Sequence, residues 1–302
     1  MDGILNILKP PGMTSHDVVS YVRRNLKGKK VGHTGTLDPG AAGVLPVCIG
    51  KATKISRFII KSYKEYRAEL TLGISTNTQD NFGEITKKVN TVLSKDIVEE
   101  RIYEAFDKFK GVIYQEPPMY SAIKYKGKPL YKYARSGQII KREKRKVVIK
   151  DIKIVEILYP NRIVFDVICS SGTYIRTLCN DIGEMLGCGG HMSLLIRKSV
   201  ANFKIDDSIT LEEFRLLLYE NELIKKIYPI DFPLKDLPYA IIPDNMMKRA
   251  KNGSPVYNSH ISQTLDVKDE QLFRMYDKNN NFIAIGKLIR DDCLVPVNVF
   301  WH

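Results

Sequence analysis

Asp38 is the residue in this 302-residue chain best placed to do chemistry. It lies in Gly32-His33-Thr34-Gly35-Thr36-Leu37-Asp38-Pro39-Gly40, a turn of mostly small residues. Pro39 fixes its own φ and pushes Asp38 out of the α region. Glycine at 35 opens backbone shapes closed to other residues. A bare Asp-Pro-Gly is ordinarily a turn whose Asp bonds its own backbone. Here little side-chain bulk surrounds the carboxylate, so a substrate can come close. Such a carboxylate can act as a nucleophile or take a proton as a base. Arg176, in Ser171-Gly172-Thr173-Tyr174-Ile175-Arg176, is a second candidate. A guanidinium beside Asp38 would keep it ionised and aimed.

The partner class follows from charge. Net charge is +13, and backbone phosphates attract Lys and Arg whatever the sequence. Lys124 to Lys150 holds eleven Lys or Arg and one acid, Glu143. Lys124, Lys126, Lys141, Arg142, Lys144 and Arg145 are the candidate contacts to a phosphate backbone. Tyr125, Tyr131 and Tyr133 lie among these cations, so the segment can hold phosphates and stack on bases together. So concentrated a charge repels itself, which predicts a segment disordered without its polyanionic partner. The five cysteines form no Cys-x-x-Cys pair and the five histidines no His-x-x-x-His pair, so no metal site is predicted. No phosphate-binding Gly-Lys-Ser/Thr loop occurs. No apolar run reaches the length of a membrane span, and the first residues lack a signal-peptide pattern. Both predict a cytoplasmic protein.

Five motifs occur in order: Lys9-Pro10-Pro11-Gly12-Met13-Thr14-Ser15, the Gly32-to-Lys54 run around Asp38, Tyr63-Lys64-Glu65-Tyr66, Pro117-Pro118-Met119-Tyr120-Ser121-Ala122, and Ser171 to Leu178. Together they resemble the TruB family of tRNA pseudouridine synthases, well over residues 2–205 and weakly beyond. The resemblance implies isomerisation of uridine 55 in the tRNA T loop, with base flipping and no cofactor. Asp38 is then the essential catalytic residue and Arg176 its salt-bridge partner. Tyr66, also assigned to catalysis, stacks on the target base, while His33, Tyr174 and Leu195 contact the substrate. Lys9 and Pro10 brace the catalytic loop. The partner implied is the T arm of tRNA, bound by a monomer without an obligate protein partner or a membrane. A guide-RNA-dependent branch of the family is the near alternative. An RNA-binding or RNA-folding protein without catalysis is the alternative from another class.

The elements that must position these residues read as follows. Ile4 to Leu8 is a strand. Thr14 or Ser15 caps a helix carrying Val18, Val19, Val22 and Leu26 at helical spacing, ended by Gly28. Val44 to Ile49 is a buried strand and Lys51 to Ile60 a helix. Tyr66, Ala68, Leu70 and Leu72 alternate with polar residues as in a strand. Residues 95–109 form a helix; Lys146 to Leu158 and Ile163 to Ser170 form a strand pair. Tyr174 to Leu186 and Leu211 to Leu218 are helices. Prolines cluster near 230, so residues 1–230 form one domain, with a basic insertion at about 124–145, and residues 231–302 another. The second holds a helix at Asp244 to Lys251 and strands such as Phe282 to Leu288. The fold class implied is α+β, the pseudouridine synthase fold. It has a central mixed, mainly antiparallel sheet, the basic insertion and a small, mostly-β PUA-like C-terminal domain.

Overall fold

The computed structural model describes residues 1–89, 95–257, 270–289 and 293–301. Ten strands of the described residues form one sheet. Its main path runs Ile227–Tyr228, Gly3–Lys9, Ala42–Ile49, Gly190–Val200, Lys64–Leu72, Arg162–Cys169, Arg145–Leu158, Gly111–Gln115. Neighbours pair antiparallel except Gly190–Val200 against Ala42–Ile49, which run parallel at Ile196–Ala42 and Arg197–Gly43. The sheet is therefore mixed and mainly antiparallel, as expected.

Lys64–Leu72 alternates strictly between buried and half-open positions. Tyr66, Ala68 and Leu70 face a core shared with Phe165, Val167 and two helices, through Ile102 and Phe106 on one and Leu178 and Ile182 on the other. On the other face Arg67 bonds Asp166 at 2.8 Å, and Lys198 reaches Glu65 at 2.7 Å and Asp166 at 3.0 Å. Opposite charges thus cross three adjacent strands. A second core gathers Leu5, Ile7, Leu45 and Val47 against Val18, Val22 and Phe214 from the helices Ser15–Asn25 and Leu211–Tyr219. Thr14 caps the first helix through a reciprocal capping box with Asp17.

Lys51 to Ile60 is not one helix: a 3-10 turn, Gly50–Ile55, runs into a short α-helix, Ser56–Ile60. Gly190–Val200, a central strand, was not predicted at all. Register shifts at Met192/Leu194 and Arg197/Ser199 break its alternation.

The basic segment has a defined shape. A small hairpin pairs Lys124–Tyr125 with Lys128–Pro129, and a one-and-a-half-turn helix, Leu130–Arg135, follows. A second, five-stranded sheet covers Tyr239 to Val299 in the order Tyr239–Ile241, Leu272–Tyr276, Phe282–Ile289, Cys293–Val299, Val256–Tyr257. The helix Asp244–Lys251 packs with it, making the C-terminal part mostly β. Ile285 and Phe300 share a core with Ile4, Val44 and Phe203, so the two sheets are packed together.

Candidate active site

The loop carrying Asp38 is held from beneath by the first strand and helix. Lys9, with no exposed surface, donates from Nζ to the carbonyls of Pro10 at 2.8 Å, Pro39 at 3.3 Å and Ala41 at 2.7 Å. Gly12 N–H donates to Pro39 O at 2.8 Å, and Leu37 N–H to Ser15 Oγ at 2.9 Å. Asp38 is thereby bracketed on both sides by bonds to the Lys9-to-Ser15 motif.

Arg176 meets it from the helix Ile175–Met185. Its Nη2 donates to Asp38 Oδ1 at 3.2 Å, and Nε stands 2.9 Å from Oδ2. The Nε–H is not aimed along that line, so the second contact is ionic rather than a straight hydrogen bond. The guanidinium is locked in turn. Nη1 donates to Thr78 O at 3.1 Å and lies 3.5 Å from Asp80 Oδ2, while Nη2 also reaches Tyr120 O at 3.0 Å. Asp38 keeps 36% of its side chain open, whereas 5% of the Arg176 side chain is open. Burial pushes the Asp38 carboxyl above the usual carboxylate range; Arg176 opposes this most strongly, Asp80 adds to it and Lys9 subtracts.

Tyr66 is buried, in one core with Leu37 and Leu195. Burial raises its pKa, and Arg197 approaches its hydroxyl. Tyr174 starts the Arg176 helix and is fixed by Gln115, which takes its N–H at 3.0 Å and donates to its carbonyl at 3.2 Å. The charges of Asp38 and Arg176 both reach its ring. His33 turns instead onto its own loop. Its Nδ1 accepts the Gly35 N–H at 3.3 Å, and burial with Arg197 lowers its pKa. Lys124, Lys126, Lys141, Lys144 and Arg145 are exposed. Arg142 is not: it turns inward to pair with Glu116, one residue before Pro117. The tyrosines of this segment are already engaged by its own cations. Lys126 lies over Tyr125 at 5.6 Å, Lys128 over Tyr133 at 4.8 Å and Arg135 over Tyr131 at 5.5 Å.

The family follows from comparison with known proteins. Residues 23–175 match the model of the TruB family pseudouridylate synthase N terminal domain, and residues 176–235 that of the tRNA pseudouridylate synthase B C-terminal domain. The chain belongs to the TruB family. The tRNA pseudouridine synthase B of Alkaliphilus oremlandii is 49% identical over 97% of this chain and 95% of its own length. That of Clostridioides difficile is 48% identical over 98% of each. Among solved structures, a Cbf5-Nop10-Gar1 complex has a chain 28% identical, with a TM-score of 0.78, over 99% of this chain and 85% of that one. The protein is thus a pseudouridine synthase.

Two residues of this TruB-family site were missed in the sequence. Asp80 shares Arg176 with Asp38; its signal was a lone acid in the polar turn Asn77 to Gly83. Arg197 is 1% exposed and underlies the Asp38 loop, donating from Nε to Val44 O at 2.7 Å and from Nη2 to Gly35 O at 3.4 Å. Arg197 lies within electrostatic reach of two further buried cations, Lys9 and Lys64; burial lowers both lysines to about 8.

Proposed function

We propose that this enzyme converts uridine 55 of the tRNA T loop to pseudouridine, with Asp38 as the catalytic group and no cofactor. The observation that carries this is an accessible carboxylate gripped by a guanidinium that is itself immobilised. The rearrangement breaks the N1–C1′ bond and forms a C5–C1′ bond; C5 loses a proton and N1 gains one. Atoms and electrons balance within the nucleotide. The target must leave its stack to reach the Asp38 carboxylate. Tyr66 stacks on the uracil and Leu195 lines its pocket, a reading supported by their shared core with Leu37 beside Asp38. Asp38 then attacks the sugar as a nucleophile or removes a proton as a base. Either route needs the ionised form that Arg176 favours.

The tRNA substrate is supported by the names of relatives near half identity over nearly full length. Identity of 48–49% to tRNA pseudouridine synthases B, against 28% to a chain of a Cbf5 complex, supports the tRNA enzyme over the branch that works with partner proteins, and in this reading it acts alone, as a monomer. In this reading residues 1–230 form the catalytic domain, and residues 231–302 a PUA-like RNA-binding domain. The test is incubation of the pure protein with unmodified tRNA transcript, followed by mapping of pseudouridine. One modified uridine in the T loop is expected. Asp38→Asn should give none while binding the transcript with near-normal affinity, because the amide keeps the shape but loses charge and nucleophilicity. Modification outside the T loop, or an active Asn variant, overturns the proposal.

A further inference from the structure

Phe82 is 75% exposed, yet it is docked on the catalytic loop. Its ring lies on Gly40, two residues beyond Asp38, where a Cβ would overlap ring atoms Cε2 and Cζ. The turn that carries the ring is closely tied. Asp80 Oδ1 accepts the Phe82 N–H at 3.0 Å and the Thr78 hydroxyl at 2.6 Å. Asn81 Nδ2 donates to Ser193 O at 3.2 Å, and Glu84 N–H to Asn77 Oδ1 at 3.1 Å. The same Asp80 holds Arg176. A scattered exposed apolar side chain calls for no explanation. A ring on a fixed turn, laid against the Asp38 loop and seated in space that only glycine leaves free, does.

We infer that Phe82 is a stacking platform for a base next to the target uridine. The inference rests on the RNA reading above and adds a residue to it. Flipping the uridine deprives its neighbours of a stacking partner. An open aromatic face two residues from Asp80, resting on the Asp38 loop, supplies a replacement. Every base has a π face, so the contact holds the strand without reading its sequence. Gly40 belongs to the device, because a side chain there displaces the ring.

The test uses the whole protein, a T-arm stem-loop RNA, and copies with 2-aminopurine on either side of the target. Phe82→Leu removes the ring at similar bulk, Phe82→Ala removes it outright, and Phe82→Trp keeps an aromatic face. The Leu and Ala variants should bind about tenfold more weakly, the size of one base–aromatic stack. KM should rise with kcat unchanged, as for an interaction made equally in ground and transition states. The Trp variant should stay near wild type, and all melting temperatures should match. One flanking 2-aminopurine should be quenched by wild type and Trp but not by Leu. Gly40→Ala should weaken binding, and adding it to Phe82→Ala should cost nothing more. Wild-type binding and quenching by the Leu variant would overturn the inference. So would a fall in its kcat at unchanged affinity, which would make the ring a support for the Asp38 loop. If the wild-type protein left the RNA unmodified, the functional reading itself would fail. Modification by wild type together with wild-type affinity and quenching in the Leu variant removes only the stacking role.

Discussion

Arg176 holds its partners in a way no other side chain could copy, because a planar fork presents its donors in fixed directions. It grips Asp38, faces Asp80 and donates to the carbonyls of Thr78 and Tyr120. Arg176→Lys keeps the charge and removes the fork. It should lower kcat by roughly 10²-fold, the order that a small misplacement of a reacting group costs; single-turnover rates would measure it. Asp80→Asn should cost less. It should also move the acid limb of the rate profile to lower pH, because the Asp80 charge helps hold the Asp38 carboxyl up. An unmoved limb would mean that Asp80 does not act on Asp38. Lys9 makes a prediction on the alkaline side. Burial lowers its pKa from 10.5 to about 8, so the folded protein sheds this proton before the unfolded chain does. Between those values unfolding takes up a proton, and this contribution to stability rises with pH. Lys9→Met should flatten the rise in unfolding free energy between pH 8 and 10.5 seen in urea titrations, leaving the part due to Lys64. Asp38 and Arg176 were legible because each stands in its own motif, although 138 positions separate them. Asp80 and Arg197 were not, since their roles come from partners that only the folded chain assembles.

At the scale of elements, the helix that carries Arg176 is set against the central strand through glycine. A Cβ on Gly183 would overlap the backbone of Gly189 and Gly190, where that strand begins. Alanine is the better helix former by about 1 kcal/mol. The overlap is with backbone rather than a yielding side chain, so overpacking of about 1–3 kcal/mol should win. Gly183→Ala should therefore lower the urea midpoint, and any wedge under the helix should reach the Arg176–Asp38 pair and slow turnover. A midpoint at or above wild type would show that the interface has slack. The strand Lys64–Leu72 could be read from its sequence because one face is apolar and the other charged. Gly190–Val200 could not. Its two register shifts reset the alternation, and its most buried charge, Arg197, occupies a position where the pattern calls for an apolar residue.

For the whole molecule, the distribution of charge makes a testable prediction about how RNA arrives. The C-terminal sheet was legible as a small β unit. Its packing on the first sheet was not, because the shared core joins residues as distant as Ile4 and Phe300. The basic segment was legible as a run of cations, while its hairpin and short helix were hidden by the density of charge. Folding gives its cations unequal tasks. Arg142 pairs with Glu116 beside the Pro117–Pro118 loop, whereas Lys141, Lys144 and Arg145 remain exposed. Replacing those three with Gln, with Arg142 left in place, removes charge without releasing that tether. The variant should bind tRNA more weakly. Its plot of log affinity against log salt should be shallower by roughly 0.7–0.9 for each phosphate the variant no longer neutralises, since each neutralised phosphate releases condensed counterions. The rate at saturating tRNA should stay near wild type, because none of the three touches the Asp38–Arg176 pair. Filter binding across a salt series, run beside single-turnover assays, separates the two effects. An unchanged slope would move the RNA path off this segment, and a slower rate at saturation would give the segment a part in the reaction beyond binding.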